Sequence, residues 1–212
     1  MNCENTMVSL GEHARTGGGK GSKRVSDLSW RESGGLRSMM GVPIVTYDLL
    51  ATGYGQDIIE IGAVRYENCV EVAEFSTFVN PGRDVPPEEL EGSGITPEML
   101  SEAPRLSDVI QALDDFIKNA VLATHGDSFN VWMLRKAYEK VNNRLNNLTI
   151  DTHPCALHLF DVLRRRYPYP DYLMNDFIAP VAEPYRAVES ARLCGAEFLM
   201  ALEEVRAESG FS

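Results

Sequence analysis

The sequence predicts an α/β protein: a mixed sheet of three antiparallel strands and then parallel ones, flanked by helices. Three observations point there. Residues 42–82 hold three β-rich apolar runs joined by short turns, which is the pattern of an antiparallel meander. From residue 106 onward, segments of helical spacing alternate with short apolar runs, as they do where helices cover the faces of a sheet. The folding part is about 170 residues long, the size of one domain around one core.

Each element has its own signal. VPIVTYDLL (42–50) is the first strand, closed by a turn that Gly53 and Gly55 bound, and DIIEIGAVRY (57–66) and VAEFSTFVNPG (72–82) are the second and third. Pro86, Pro87, Gly92 and Gly94 break any period and mark an irregular crossing segment. Leu106, Val109, Ile110, Leu113, Phe116 and Ile117 then recur at helical spacing. AVLATH (120–125) reads as a short buried strand, and Phe129, Trp132, Met133, Ala137 and Val141 as the apolar positions of the next helix. Residues 148–151 form another strand, 155–166 a helix and 187–205 the closing helix.

Composition bounds the rest. Residues 1–38 hold seven of the 17 glycines and no sustained hydrophobic period, so they are expected to be a disordered Gly/Ser-rich tail. The domain is placed at 39–207, with a C-terminal tail at 208–212. Six of the 20 basic residues and four of the 31 acidic ones lie in the first 38, which leaves a net charge of −13 on the remainder. That sign repels polyanions at long range and excludes nucleic-acid binding by a general basic surface, so any nucleic acid must enter a local site. The four cysteines, Cys3, Cys69, Cys155 and Cys194, form no C-x-x-C pair and suggest neither a zinc knuckle nor a disulfide framework. No apolar run is long enough to span a bilayer and no signal-peptide core is present, so a cytoplasmic protein is expected.

Five segments, in order, carry a more specific signal: VTYDLLATG (45–53), the stretch DIIEIGAVRY through GITPEML (57–100), THGDSFNVWMLR (124–135), IDT (150–152) and YRAVESA (185–191). They resemble the DEDDh 3′–5′ exonucleases, the group of the proofreading epsilon subunit of bacterial replicative polymerase and of RNase T. The first segment is similar to the block D-x-E-T-T-G, the third to H-N-x-x-F-D-x-x-F-L and the last to H-R-A-L-D-D-A. The resemblance implies a ribonuclease H-like exonuclease fold. It also implies phosphodiester hydrolysis with two divalent ions, Mg²⁺ or Mn²⁺, held by four carboxylates, with a His or Tyr that orients or deprotonates water.

Position by position, the resemblance leaves little of that site. Asp48 stands at the first carboxylate. The second, two residues on and on the same face of the strand, is Leu50, which cannot ligate a cation. The third is Asn130, neutral where the family has an acid. The fourth is Ser190, and the histidine is Tyr185. Tyr185 and Glu189 keep the Tyr-x-x-x-Asp spacing of a sister branch with Glu for Asp, and residues four apart share a helix face. Asp48, Tyr185 and Glu189 are therefore the candidate catalytic residues, with Asp48 as a weak metal ligand or none. Glu60 and Asp127 are further acids an active form would draw on; a local hydrogen bond for Glu60 and a helix N-terminal charge for Asp127 are the simpler roles. Thr52, Gly53, Tyr54, His125 and Phe129 stand at positions that contact substrate in the family, and Tyr54 is placed to stack on a base. His153 and His158 have no partners at metal-ligand spacing, and Arg135, Lys136, Lys140 and Arg144 read as a solvated helix face.

Two functions follow. One is a pseudo-nuclease, a catalytically inactive exonuclease-like domain kept as a module that binds the 3′ end of single-stranded nucleic acid or a replication or repair protein. The other is an active but atypical metal-dependent 3′–5′ exonuclease on single-stranded DNA or RNA.

Overall fold

The computed structural model describes residues 42–53, 57–125, 127–153 and 186–208, the side chains of 127, 128 and 203–208 excepted. The expected tails, the helix at 155–166, His158, Tyr54, Tyr185 and the side chain of Asp127 lie outside the described residues.

The meander forms as the apolar runs predict: β1 (Ile44–Thr52), β2 (Asp57–Glu67) and β3 (Val70–Phe78) pair antiparallel, while β4 (Val121–Thr124) and β5 (Thr149–Asp151) add in parallel beyond β1. The sheet order is β3-β2-β1-β4-β5. The helices are α1 (Pro97–Glu102), α2 (Leu106–Phe116), α3 (Asp127–Lys140) and α4 (Ala187–Glu208). The segment expected to be irregular holds a 3-10 turn, Pro87–Leu90, and then α1, which Thr96 caps by accepting a hydrogen bond from the Met99 N–H at 3.3 Å. These elements are too short for periodicity to reveal. The last helix runs to Glu208, one residue into the expected C-terminal tail. Cys69, at positive φ in the β2–β3 turn, is disulfide-bonded, a link that the cysteine spacing did not suggest.

Alternation along β1 divides the core. Val45, Tyr47 and Leu49 face α2 and α3 and join Ile110, Leu113, Met133 and Leu134. Ile44, one step out of phase, lies on the opposite face with Val188, Ala191 and Phe198 of α4. Thr46, on that second face, donates its hydroxyl hydrogen to the Ala191 carbonyl at 2.7 Å. Asp48 follows two residues later on the same face, and this phase brings it under α4.

The α4 helix sits unusually close to the sheet. A Cβ on Gly62 would overlap the backbone of Ala187 and Val188, so only glycine lets the first turn of α4 rest on β2. Next to it, Glu60 is fully buried and accepts from Arg186 Nε at 2.8 Å and from the Ala187 N–H at 3.4 Å. The carboxylate lies at the positive end of the helix, where it is favoured by the dipole as well as by its ion pair. Glu60 thus bonds across the fold rather than locally as expected, and its role is to seat α4.

Candidate functional site

Asp48, Thr124 and Asn130 come together where β1 and β4 end. Asp48 is half-buried near the end of β1. Asn130, in the first turn of α3, is 7% exposed, and its side-chain nitrogen donates to Asp48 Oδ1 at 2.8 Å and to Thr124 Oγ1, at the end of β4, also at 2.8 Å. A carboxylate can only accept, so the nitrogen of the amide must face it, and both amide hydrogens are used. The neutral residue does more than remove a charge. It closes the gap between two strand ends with a direct bond, charge-assisted on the Asp48 side.

Leu50 makes the second change. The β1–β2 register slips between Leu50, opposite Glu60, and Ala51, opposite Ile58, so Ile59 is an extra residue in the ladder. Ile59 enters a satellite cluster with Val85, Leu90, Ile95 and Leu100, and Leu50 packs against that cluster. The position where the resemblance implies a metal ligand is therefore part of an apolar contact.

Two divalent ions need several anionic oxygens turned toward a common point. Here one acid has an amide hydrogen on its oxygen and the neighbouring position is a packed leucine. Among the described residues no three His, Cys, Asp or Glu side chains gather so as to hold a metal ion. These residues do not fit a two-metal centre.

Ser190 is half-buried one turn before Cys194, whose buried thiol hydrogen-bonds Thr152 at 3.3 Å. Burial above all pushes this thiol up to about 12, with the negative charges of Glu197, Asp48 and Asp151 adding to the shift and the Thr152 bond opposing it. Asp48 therefore lies within electrostatic reach of this stretch of α4. Glu189 is exposed, on the side of the helix away from the buried Ala187, Val188 and Ala191.

Of the residues expected to meet substrate, Thr52 is fully buried and its hydroxyl accepts from Arg83 Nη2 at 2.9 Å. Arg83 also pairs with Asp57 at 3.0 Å and Glu89 at 3.1 Å, so Thr52 belongs to a structural clasp. Burial would raise the Asp57 acid, but hydrogen bonds from Lys140 and Arg83 hold it below the usual carboxylate range. Gly53 is exposed at positive φ, as a turn at the end of β1 requires. His125 is half exposed, with Nε2 3.2 Å from His153 Nδ1 and Nδ1 3.7 Å from a Glu197 oxygen. His153 thus has a partner that sequence spacing did not reveal. Phe129 is 48% exposed on α3. The sequence reading also missed Thr124, whose only hint was its place within a matched segment; Arg186 stands among the structural residues kept from the family pattern, but its bond to Glu60 was not legible.

The Asn130 bond yields a test. Asn130→Asp would set a second carboxylate against Asp48 with no cation between, and such a pair shares a proton, one of its pKa values being raised. A raised folded-state pKa disfavours the ionised form, so the variant keeps near-normal stability below about pH 4 and loses it as the pH climbs toward the raised value. Thermal melts should show a deficit of roughly 2–4 kcal/mol at pH 7 that shrinks at acid pH. A deficit independent of pH would contradict the amide–carboxylate account.

Comparison with known proteins adds the lineage. An exonuclease family model, RNase T, matches residues 45–178. DNA polymerase III subunit epsilon of Treponema pallidum (strain Nichols) is 31% identical over 157 residues, covering 72% of this chain and 73% of that protein. DNA polymerase III PolC-type of Caldanaerobacter subterraneus subsp. tengcongensis is 31% identical over 182 residues, 78% of this chain, which spans only 13% of that much longer relative. Among solved structures, the nuclease domain of 3′hExo, a DEDDh family member bound to rAMP, superposes with a TM-score of 0.57 at 13% identity, over 82% of this chain and 96% of that one.

Proposed function

The chain belongs to the RNase T exonuclease family, of the DEDDh type, and we propose that it is a pseudo-nuclease: a member that has lost metal-dependent hydrolysis and keeps the fold to bind single-stranded nucleic acid. The observation that carries this reading is the hydrogen bond from Asn130 to Asp48, 2.8 Å long, which gives the remaining family carboxylate a protein donor for a partner. Leu50 in its apolar cluster supports it further, since a side chain there that ligated a cation would have to leave that contact.

The intact frame around these changes supports binding rather than decay. Glu60, Arg186 and Gly62 still seat α4, and Thr46 still bonds it to β1. The ends of β1 and β4 are joined through Asn130, which bonds both Asp48 and Thr124. A replication or repair protein is a further partner class compatible with relatives that are DNA polymerase III components. The second reading, an atypical metal-dependent exonuclease, rests on Asp48, Glu189 and Tyr185 with help from Glu60 or Asp127. It is weakened by Glu60, fully engaged with Arg186 and Ala187, and by the outward placement of Glu189.

Incubation with Mg²⁺ or Mn²⁺ and end-labelled single-stranded DNA or RNA tests the choice. Under the pseudo-nuclease reading the oligonucleotide is retained and no nucleotide is released. Metal-dependent release that Asp48→Ala or Glu189→Gln abolishes would establish the exonuclease instead.

A further inference from the structure

The outer face of α3 bears an aromatic pair that the core does not use. Met133, Leu134, Ala137 and Tyr138 turn inward, while Phe129 and Trp132 are each 48% exposed, their ring centroids 6.3 Å apart and their planes 37° from parallel. Lys136 Nζ lies 4.6 Å from the centre of the Trp132 ring, and Arg135 is exposed beside it. Phe129, Trp132 and Lys136 are spaced three and then four residues apart, so they form one stripe along the helix. The stripe begins one residue before Asn130, which is bonded to Asp48.

Two exposed rings in contact are a large apolar commitment for a surface helix, and such patches mark binding sites. Their chemistry narrows the occupant. The stripe is aromatic and cationic, with no aliphatic side chain among its members, and it lies on a body whose net charge is strongly negative. Flat π-faces next to positive side chains suit bases joined by phosphates, since any base can stack while the cations meet the backbone locally.

We propose that Phe129, Trp132 and Lys136 form a stacking strip for successive bases of a single strand leaving the cleft, with Lys136 and Arg135 meeting its phosphates. The inference rests on the nucleic-acid-binding reading and locates the contact that supplies the affinity.

The full chain carries two tryptophans, so Trp30→Phe leaves Trp132 as the sole indole reporter. Titration with oligothymidylate at low salt should quench Trp132 fluorescence to saturation. Anisotropy of a labelled oligothymidylate should show Trp132→Ala and Phe129→Ala each weakening binding about 5- to 150-fold. Lys136→Gln should flatten the slope of log affinity against log salt by about 0.7. The three side chains are exposed or half exposed, so the variants are expected to melt like the unaltered chain. Affinity unchanged in the Phe129→Ala/Trp132→Ala double variant would overturn the strip and leave the binding reading standing. No binding by the unaltered chain would overturn both. A concentration-dependent dimer lost with Trp132→Ala, without any effect of oligonucleotide, would assign the stripe to a second copy of the chain and overturn the proposal.

Discussion

Joint replacement Leu50→Glu, Asn130→Asp, Tyr185→His and Ser190→Asp is expected to create metal-dependent 3′–5′ release from single-stranded DNA, where the pseudo-nuclease reading expects none from the unaltered chain. The four changes restore the acids and the histidine of the family's motifs. They act as a unit, because a divalent pair held by part of its ligand set gains neither position nor charge balance. Each single replacement should therefore give little or no activity. Losing one well-placed electrostatic contributor typically costs on the order of 10²–10³ in rate, so the joint variant should exceed any single one by at least that factor. Leu50→Glu alone is expected to destabilise, since it sets a carboxylate against the cluster of Val85, Leu90, Ile95 and Leu100. A single-turnover assay with end-labelled oligonucleotide reads the whole series. An inactive joint variant that melts cooperatively would show that the cleft has diverged beyond its ligands.

Gly62→Ala is expected to be the most damaging single methyl in the fold. The added carbon would overlap the backbone of Ala187 and Val188, and neither atom can swing aside as the end of a side chain can. Relief requires α4 to lift from β2, which strains the bond from Thr46 to Ala191, the seat of Ala187 on Glu60 and the packing of Val188, Ala191 and Phe198. Overpacking of this kind costs about 3 kcal/mol, near the upper end of the usual range. For a chain of this size that lowers the melting temperature by roughly 6–12 °C. Gly195→Ala is the informative contrast, since its added carbon would meet the Tyr66 side chain, and a ring can shift where a helix backbone cannot. Calorimetric melts in which the two variants lose equal stability would contradict this explanation of Gly62.

Much of the fold was legible in the residues. The three runs of the meander correspond to β1–β3, legible as β-rich segments between turn residues, and the helical spacing of 106–117 corresponds to α2, where burial of Val109, Ile110 and Leu113 on one face imposes a period that sequence displays; the closing helix expected at 187–205 is α4. The turn and short helix between 87 and 102 were not legible, since elements of four and six residues surrounded by proline and glycine complete too few turns to set a period. At the site, the replaced positions were legible one by one, but their consequences depend on contacts distant in the chain. Asn130 reads in sequence as a missing charge, whereas in the fold it is a donor that binds Asp48. Leu50 reads as a missing ligand, and only the slip in register at Ile59 explains why a leucine is well accommodated there. Glu60 looked like a local hydrogen-bonder because its partner, Arg186, is 126 residues away.

Calorimetric titration of the unaltered chain with Mn²⁺, beside Asp48→Asn, tests the central claim most directly. With the Asp48 carboxylate held by an amide and no companion acid at Leu50, Asn130 or Ser190, the two proteins should give the same weak, unsaturated heats. Saturable uptake of one or two ions per chain, lost on Asp48→Asn, would show a working metal site and contradict the account.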